Sequence, residues 1–288
     1  MCLQAGACKC HITILSETMR KYLYYITTLM LFLSASCSEV DEADRYVELP
    51  KVETKRNVLV EEYTGQKCTN CPDAHRQLVG LQQQYGSQLI CVAIHAGGFG
   101  IAEGANPNIV GLMQPEGNVY ASRWGVTEYP SAVVDRRGGA LKADTWAAAI
   151  REALERESEI DMDVEAQIEG DELKCKVLIK PAAQFEGKLQ LWLTESDITA
   201  LQIDNGTVKT DYVHNHVFRA CIKKDASQDE WGEPISLKAN IHQTIERNLI
   251  LKANWNRANL HVVAFVYNES RGVEQVVEKE ITNKTETI

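Results

Sequence analysis

The chain has 288 residues, 44% of them hydrophobic, with 40 acidic against 30 basic side chains and a formal charge of −10. That is enough chain for two modest domains or one large one. So acidic a chain is ill suited to nucleic acid, whose phosphates demand Lys and Arg, so no nucleic-acid partner is expected.

The first pattern in chain order is an export signal. Met19-Arg20-Lys21 is a short basic stretch, Tyr22 to Leu33 is an uncharged, mostly apolar run, and Leu33-Ser34-Ala35-Ser36-Cys37 ends in small residues before a cysteine. The run is shorter than the about 20 residues a spanning helix needs and fits a secretory signal. It looks like a bacterial lipoprotein signal, in which Cys37 is the lipid attachment site and first mature residue. Residues 1–36 are then removed, with Met19 a candidate true start. The mature chain keeps 252 residues and 27 basic against 39 acidic side chains, a charge of −12. Residues 37–56 read as a polar, lipidated tether.

Asn57 to Tyr63 reads as a buried strand. Pro72 to Tyr85 reads as a helix, with Ala74, Leu78, Leu81 and Tyr85 near one face and Gly86 as its stop. Residues 89–95 are continuously apolar, as a parallel strand buried on both faces should be. A Gly-rich, polar loop, 96–116, is long enough to be a site loop. A short helix over Gly117–Trp124 follows, then a strand entered through Tyr129-Pro130-Ser131 and ending at Asp135. A short strand near 140–142 and a helix from Thr145 to about Arg156 complete the first half, in which helices and strands alternate.

From about residue 159 the pattern changes to short β-rich runs: 160–168, 172–180, 188–194, 216–222, 235–241, 248–255, 260–267 and 273–280. Turn signals such as Glu169-Gly170-Asp171 separate them. Many short strands without helices argue for an antiparallel, Ig-like β-sandwich over 158–288 after an α/β domain over 57–157. Trp192, Trp231 and Trp255 are expected in the sandwich core.

Cys68-Thr69-Asn70-Cys71 lies between the first strand and the first helix. A CxxC there marks a thioredoxin-like redox site. Cys68 would attack and Cys71 resolve. The helix N-terminus and neighbouring Lys67 both favour a thiolate. Thioredoxins carry a buried acid six residues before the first cysteine, the place of Glu62; Glu61 is its alternative, since one of the two must face away. They also carry a cis-proline opposite the motif, the place of Pro130. His95, at the end of the second strand, is a candidate neighbour. The chain departs from the thioredoxin pattern at Lys67, where a Trp is usual, and at Pro72. The pairing of Cys68 with Cys71 is expected to be redox-active or, alternatively, a static staple. Cys91 reads as a buried inert thiol, and Cys175 and Cys221 are candidates for a second disulfide. A metal reading also exists, because Cys68, Cys71 and His75 fall on one helix face with His95 as a fourth donor. His214 and His216 would share a face of a strand. No cofactor is called for.

The segment from Val60 to Pro72, VEEYTGQKCTNCP, resembles the signature of the twenty-eight-kilodalton outer-membrane protein (Omp) family of Gram-negative gut and oral anaerobes. Asp211 to Val217 and Val262 to Asn268 look like its later segments. The resemblance covers most of the mature chain. It implies a lipid-anchored outer-membrane protein with a thioredoxin-like domain and a β-sandwich, and Cys68, Cys71 and Pro130 as site positions. Thiol–disulfide exchange on exported or envelope proteins is the first function that fits; the alternatives are non-catalytic binding and adhesion on a thioredoxin-like scaffold and, third in order, the handling of Cu or Zn.

Overall fold

A computed structural model describes residues 55–283, together with Lys21. The signal, Cys37 and most of the tether lie outside the described residues. Within residues 55–283 there are three α-helices: α1 (Cys71–Tyr85), α2 (Pro115–Arg123) and α3 (Trp146–Leu154). The fold is mostly β, with a mixed nine-stranded sheet, an antiparallel-rich sheet of four strands and a separate two-stranded hairpin.

The large sheet begins with β1 (Val58–Thr64), parallel to β2 (Leu89–His95) and antiparallel to β3 (Ser131–Val134), which turns back as β4 (Arg137–Leu141). The small sheet holds β5 (Ile160–Glu169), β6 (Glu172–Pro181), β12 (Gln243–Ile250) and the short β15 (Thr282–Asn283). The hairpin is β8 (Ile198–Asp204) with β9 (Thr207–His214).

The remaining strands extend the large sheet. Next to β2 lies β10 (Val217–Cys221), then β7 (Phe185–Glu195), β13 (Leu260–Asn268) and β14 (Gly272–Glu280), with β11 (Glu233–Leu237) also on β7. The sheet therefore runs across the domain boundary expected at 157–160, and residues 55–283 belong to one compact unit. The sequence changes its pattern there because helices stop. The sheet does not stop, because β10 returns to pair with β2, Val217 opposite Ala93.

Side chains alternate across a strand, so the sheet has two distinct faces. Leu59, Tyr63, Ile90, Val92 and Ile94 of the first half share one core with Trp192, Phe218, Val263 and Phe265 of the second and with Tyr120 of α2. On the opposite face Val58, Val60, Leu89 and Cys91 pack against Ala74 and Leu78 of α1 and Trp146 and Ile150 of α3. The small sheet closes a third core between its inward residues, such as Val164 and Val177, and Leu191 and Ala264 of the large sheet. The three tryptophans thus divide: Trp192 is buried in the shared core with Trp231 against it, whereas Trp255 belongs to the small-sheet core.

Candidate functional site

The CxxC sits where the sequence places it, at the end of the loop after β1 and at the first turn of α1. Asn70 precedes the helix and Pro72 occupies its first turn, where a missing N–H costs nothing. Cys68 and Cys71 form a disulfide. Both sulfur-bearing residues are buried, 3% and 1% exposed, whereas Lys67, Thr69 and Asn70 are exposed.

What covers the disulfide is the β8–β9 hairpin. Gln202 Nε2 donates to Cys68 O at 2.9 Å and to Gly65 O at 3.4 Å. Ile203 N donates to Gln66 O at 2.8 Å and Asn205 N to Thr69 O at 3.1 Å. Gly206 N donates to Thr69 Oγ1 at 2.7 Å, and Gln66 Nε2 returns a bond to Leu201 O at 3.2 Å. Arg76 on α1 adds an ion pair to Asp204 at 3.5 Å. The runs read from the sequence left 198–214 unassigned. The signal was present in Asp204-Asn205-Gly206-Thr207: Asn205 and Gly206 take φ of 48° and 79°, as the tightest hairpin turns require.

Cys71 borders a cavity of about 20 Å³, lined also by Glu62, His75, His95, Tyr212 and His214 among others. Alternation along β1 resolves the choice between its two acids. Glu62 faces α1, where its Oε2 meets His75 Nδ1 at 3.2 Å, and Glu61 faces the opposite core. Burial works against a charge on His75, but the hydrogen bond and charge of Glu62 prevail and raise its pKa above 6.5. His95 and His214 stack edge to face at 5.4 Å. Burial, and then the charges of His214 and Arg219, push His95 well below 6.5, and burial brings His214 down to about 4. Glu62 Oε1, His95 Nδ1 and His214 Nε2 have no hydrogen-bond partner among the described residues.

The Tyr129–Pro130 bond is cis. Ser131 pairs with Tyr63, so Pro130 lies at the end of β1 from which the CxxC loop departs. Tyr129 packs on Phe99 of the Gly-rich loop at 5.4 Å, and Phe99 O accepts from Lys67 N at 3.0 Å.

Two expectations and one alternative reading meet the structure differently. Cys175 and Cys221 form no second disulfide: both are free and buried, one in the small-sheet core and one in the shared core. Burial raises each thiol to about 12. His214 and His216 do not share a strand face, because His216 lies between β9 and β10 with φ of 52° and meets Glu278 at 3.5 Å. The metal set of Cys68, Cys71, His75 and His95 is not assembled: the sulfurs are bonded to each other, and among the described residues no three His, Cys, Asp or Glu converge on a metal position.

A cluster invisible in the sequence lies on the opposite face. Arg136, buried, donates from Nε to Glu61 Oε1 at 2.7 Å, and Tyr63 donates to Glu61 Oε2 at 2.7 Å. Its guanidinium lies 4.4 Å from the ring centre of Tyr267, 4.7 Å from Phe265, 5.2 Å from Trp231, 5.3 Å from Trp192 and 5.7 Å from Tyr120. Burial opposes the charge, yet Glu61 prevails and raises the Arg136 pKa.

Fold and site together define a class: a mixed-sheet β protein whose second half lays a hairpin over a buried CxxC disulfide. The family model of outer membrane protein Omp28 matches residues 117–285, more than half the chain, and the chain belongs to that family, a family of the outer membrane. No curated protein matches the sequence. Among solved structures, HBP35 of Porphyromonas gingivalis is similar at 15% identity, covering 82% of this chain and 79% of its own, with a TM-score of 0.64. That likeness speaks for the fold alone. A domain of the outer membrane lipoprotein Omp28 from the same organism matches 44% of this chain and 92% of its own at 18% identity, with a TM-score of 0.32. Among the described residues no helix is long and apolar enough to cross a membrane.

Proposed function

We propose that this protein is a lipid-anchored, non-catalytic binding protein of the outer membrane. Its thioredoxin-like part, with the CxxC, serves as scaffold, and the Ig-like strands of the second half provide the contact surface. The observation that carries this reading is the covered disulfide. Thiol–disulfide exchange needs a thiolate to reach one sulfur. Here the hairpin bonds to Gly65, Gln66, Cys68 and Thr69, and the cavity that Cys71 borders is about 20 Å³. That is room for about one water molecule, and for no peptide.

A second reading, an envelope thiol–disulfide oxidoreductase acting on exported proteins, is favoured by Glu62. It shares a cavity with Cys71 and has one carboxylate oxygen without a partner. That oxygen suits a base for the resolving thiol. In this reading Cys68 attacks and Pro130 flanks the incoming chain.

Trapping separates the two. Cys71→Ser leaves Cys68 able to form but not resolve a mixed disulfide. The scaffold reading expects no reducible adducts from envelope extracts above those of the Cys68→Ser, Cys71→Ser double variant. Adducts specific to Cys71→Ser would overturn it. The anchor has its own check: mass spectrometry of the mature N-terminus should find a diacylglyceryl group on Cys37, and an unmodified start elsewhere would remove it.

A further inference from the structure

We infer that the Cys68–Cys71 disulfide is a redox latch for the β8–β9 hairpin: oxidised, it holds the hairpin down, and reduction lets the hairpin lift. The inference rests on the reading that this pair is not turned over on substrates, and it gives the pair a role within that reading.

The hairpin is a two-stranded sheet that, among the described residues, pairs with no other strand. Such a ribbon is marginally stable unless something else holds it. Residues 205–211 are exposed, as is Val213. Much of its grip is hydrogen bonding to one short irregular stretch, through Gly65 O, Gln66 O, Cys68 O, Thr69 O and Thr69 Oγ1. These acceptors lie in residues 65–69, between the end of β1 and the start of α1, and the disulfide ties that stretch to the helix. The latch and the grip therefore occupy the same few residues. A second link lies where Cys71 and His214, the last residue of the hairpin, line one cavity. Converting the disulfide to thiols adds a hydrogen-bonding group to a cavity that His214, with its unpartnered Nε2, also lines.

The chemistry needs a dithiol as reductant. One of its thiolates attacks Cys68 Sγ, the Cys68–Cys71 bond breaks, and Cys71 leaves as a thiolate that takes up a proton. The second thiol of the reductant then attacks the mixed disulfide and releases Cys68. Two electrons and two protons pass to the protein, and the dithiol becomes a disulfide. Attack requires the hairpin to be raised, so local opening precedes reduction. Coupling is reciprocal: a docked hairpin favours the disulfide, and a lost disulfide favours the raised hairpin.

Hydrogen exchange on the mature protein, before and after treatment with dithiothreitol, tests this. The amides of Ile203, Asn205 and Gly206 should exchange at least tenfold faster in the reduced protein, while those of β2 and β13 keep their protection. The Cys68→Ser, Cys71→Ser double variant should exchange as the reduced protein does. Gln202→Ala, which deletes two of the bonds, should speed reduction by dithiothreitol at least threefold. Equal hairpin exchange in both states would overturn the latch and leave the scaffold reading intact. Loss of protection throughout β2 and β13 on reduction would also overturn it, because the disulfide would then staple the whole unit. So would resistance to dithiothreitol at concentrations that reduce the unfolded chain. Adducts trapped by Cys71→Ser, by contrast, would sink the scaffold reading without altering the exchange result.

Discussion

Glu61→Gln should be among the most damaging single substitutions in the molecule. It keeps the size of the side chain and an acceptor for Tyr63, but leaves the Arg136 guanidinium charged and unpaired. Both partners are almost fully buried, with 1% and 0% side-chain exposure. Removing one member of a buried ion pair costs about 3–5 kcal/mol. For a unit of this size each kcal/mol lowers the melting temperature by about 2–4 °C, so a fall of roughly 6–20 °C is expected. Five aromatic rings around Arg136 temper the loss but cannot replace an anion, since a cation–π contact is worth only about 0.5–2 kcal/mol. Arg136→Gly should cost less. Arg136 and Asp135 form the two-residue turn between β3 and β4 with φ of 54° and 51°, and glycine relieves an αL penalty of about 1–2 kcal/mol. The double variant Glu61→Leu, Arg136→Met removes both charges and should be more stable than Glu61→Gln. Urea unfolding followed by tryptophan fluorescence measures all three. A Glu61→Gln loss below about 1 kcal/mol, the range of surface pairs, would refute the reasoning.

Further predictions concern pH, thiols and two glycines. His95 and His214 have depressed folded pKa values, so the unfolded chain binds their protons first. Their contribution is full above about pH 6.5 and is lost as pH falls toward 4. His75, raised by Glu62, works in the opposite sense. The urea midpoint should drop between pH 7 and 4.5, and His214→Asn should flatten that drop; an unchanged native midpoint would count against it. Cys91, Cys175 and Cys221 are free and buried, so iodoacetamide should modify them only in denaturant, as read by intact mass. Gly65→Ala places a Cβ 2.5 Å from the Phe99 carbonyl carbon and should destabilise by about 1–3 kcal/mol. Gly80→Ala on α1 meets nothing within 4 Å and should stabilise by about 1 kcal/mol; melting temperatures moving the same way would contradict the packing described.

Much of the strand pattern was legible because burial writes itself into spacing. β2 is apolar up to its terminal His95 and buried throughout, and β5 alternates as its one-sided burial requires. The CxxC was legible from its place between strand and helix. What sequence could not supply was the partner of each element. Nothing local in Val217–Cys221 says that it pairs with β2, more than a hundred residues earlier, so one continuous sheet read as two domains. β12 was displaced toward 248–255 because polar Gln243 and Arg247 share its half-buried face with Ile245 and Leu249 and the strand lies at a sheet edge. The Arg136–Glu61 pair was hidden for the same reason, since 75 residues separate two charges that elsewhere would be solvated. The hairpin over the motif was recoverable from Asn205-Gly206, but what it covers was not.

The pairing of β10 with β2 also bears on biogenesis. A chain made from its N-terminus exposes β1 to β4 long before residues 217–221 exist. Until then one edge of β2 presents unpaired backbone groups, among them Ala93 N, which in the finished protein donates to His216 O at 2.8 Å. An open, largely apolar edge is a template for aggregation. The first half therefore has to be kept from completing itself with a neighbour during export. That makes β10, made more than a hundred residues after β2, a gatekeeper of solubility for a half-protein it belongs to only in space.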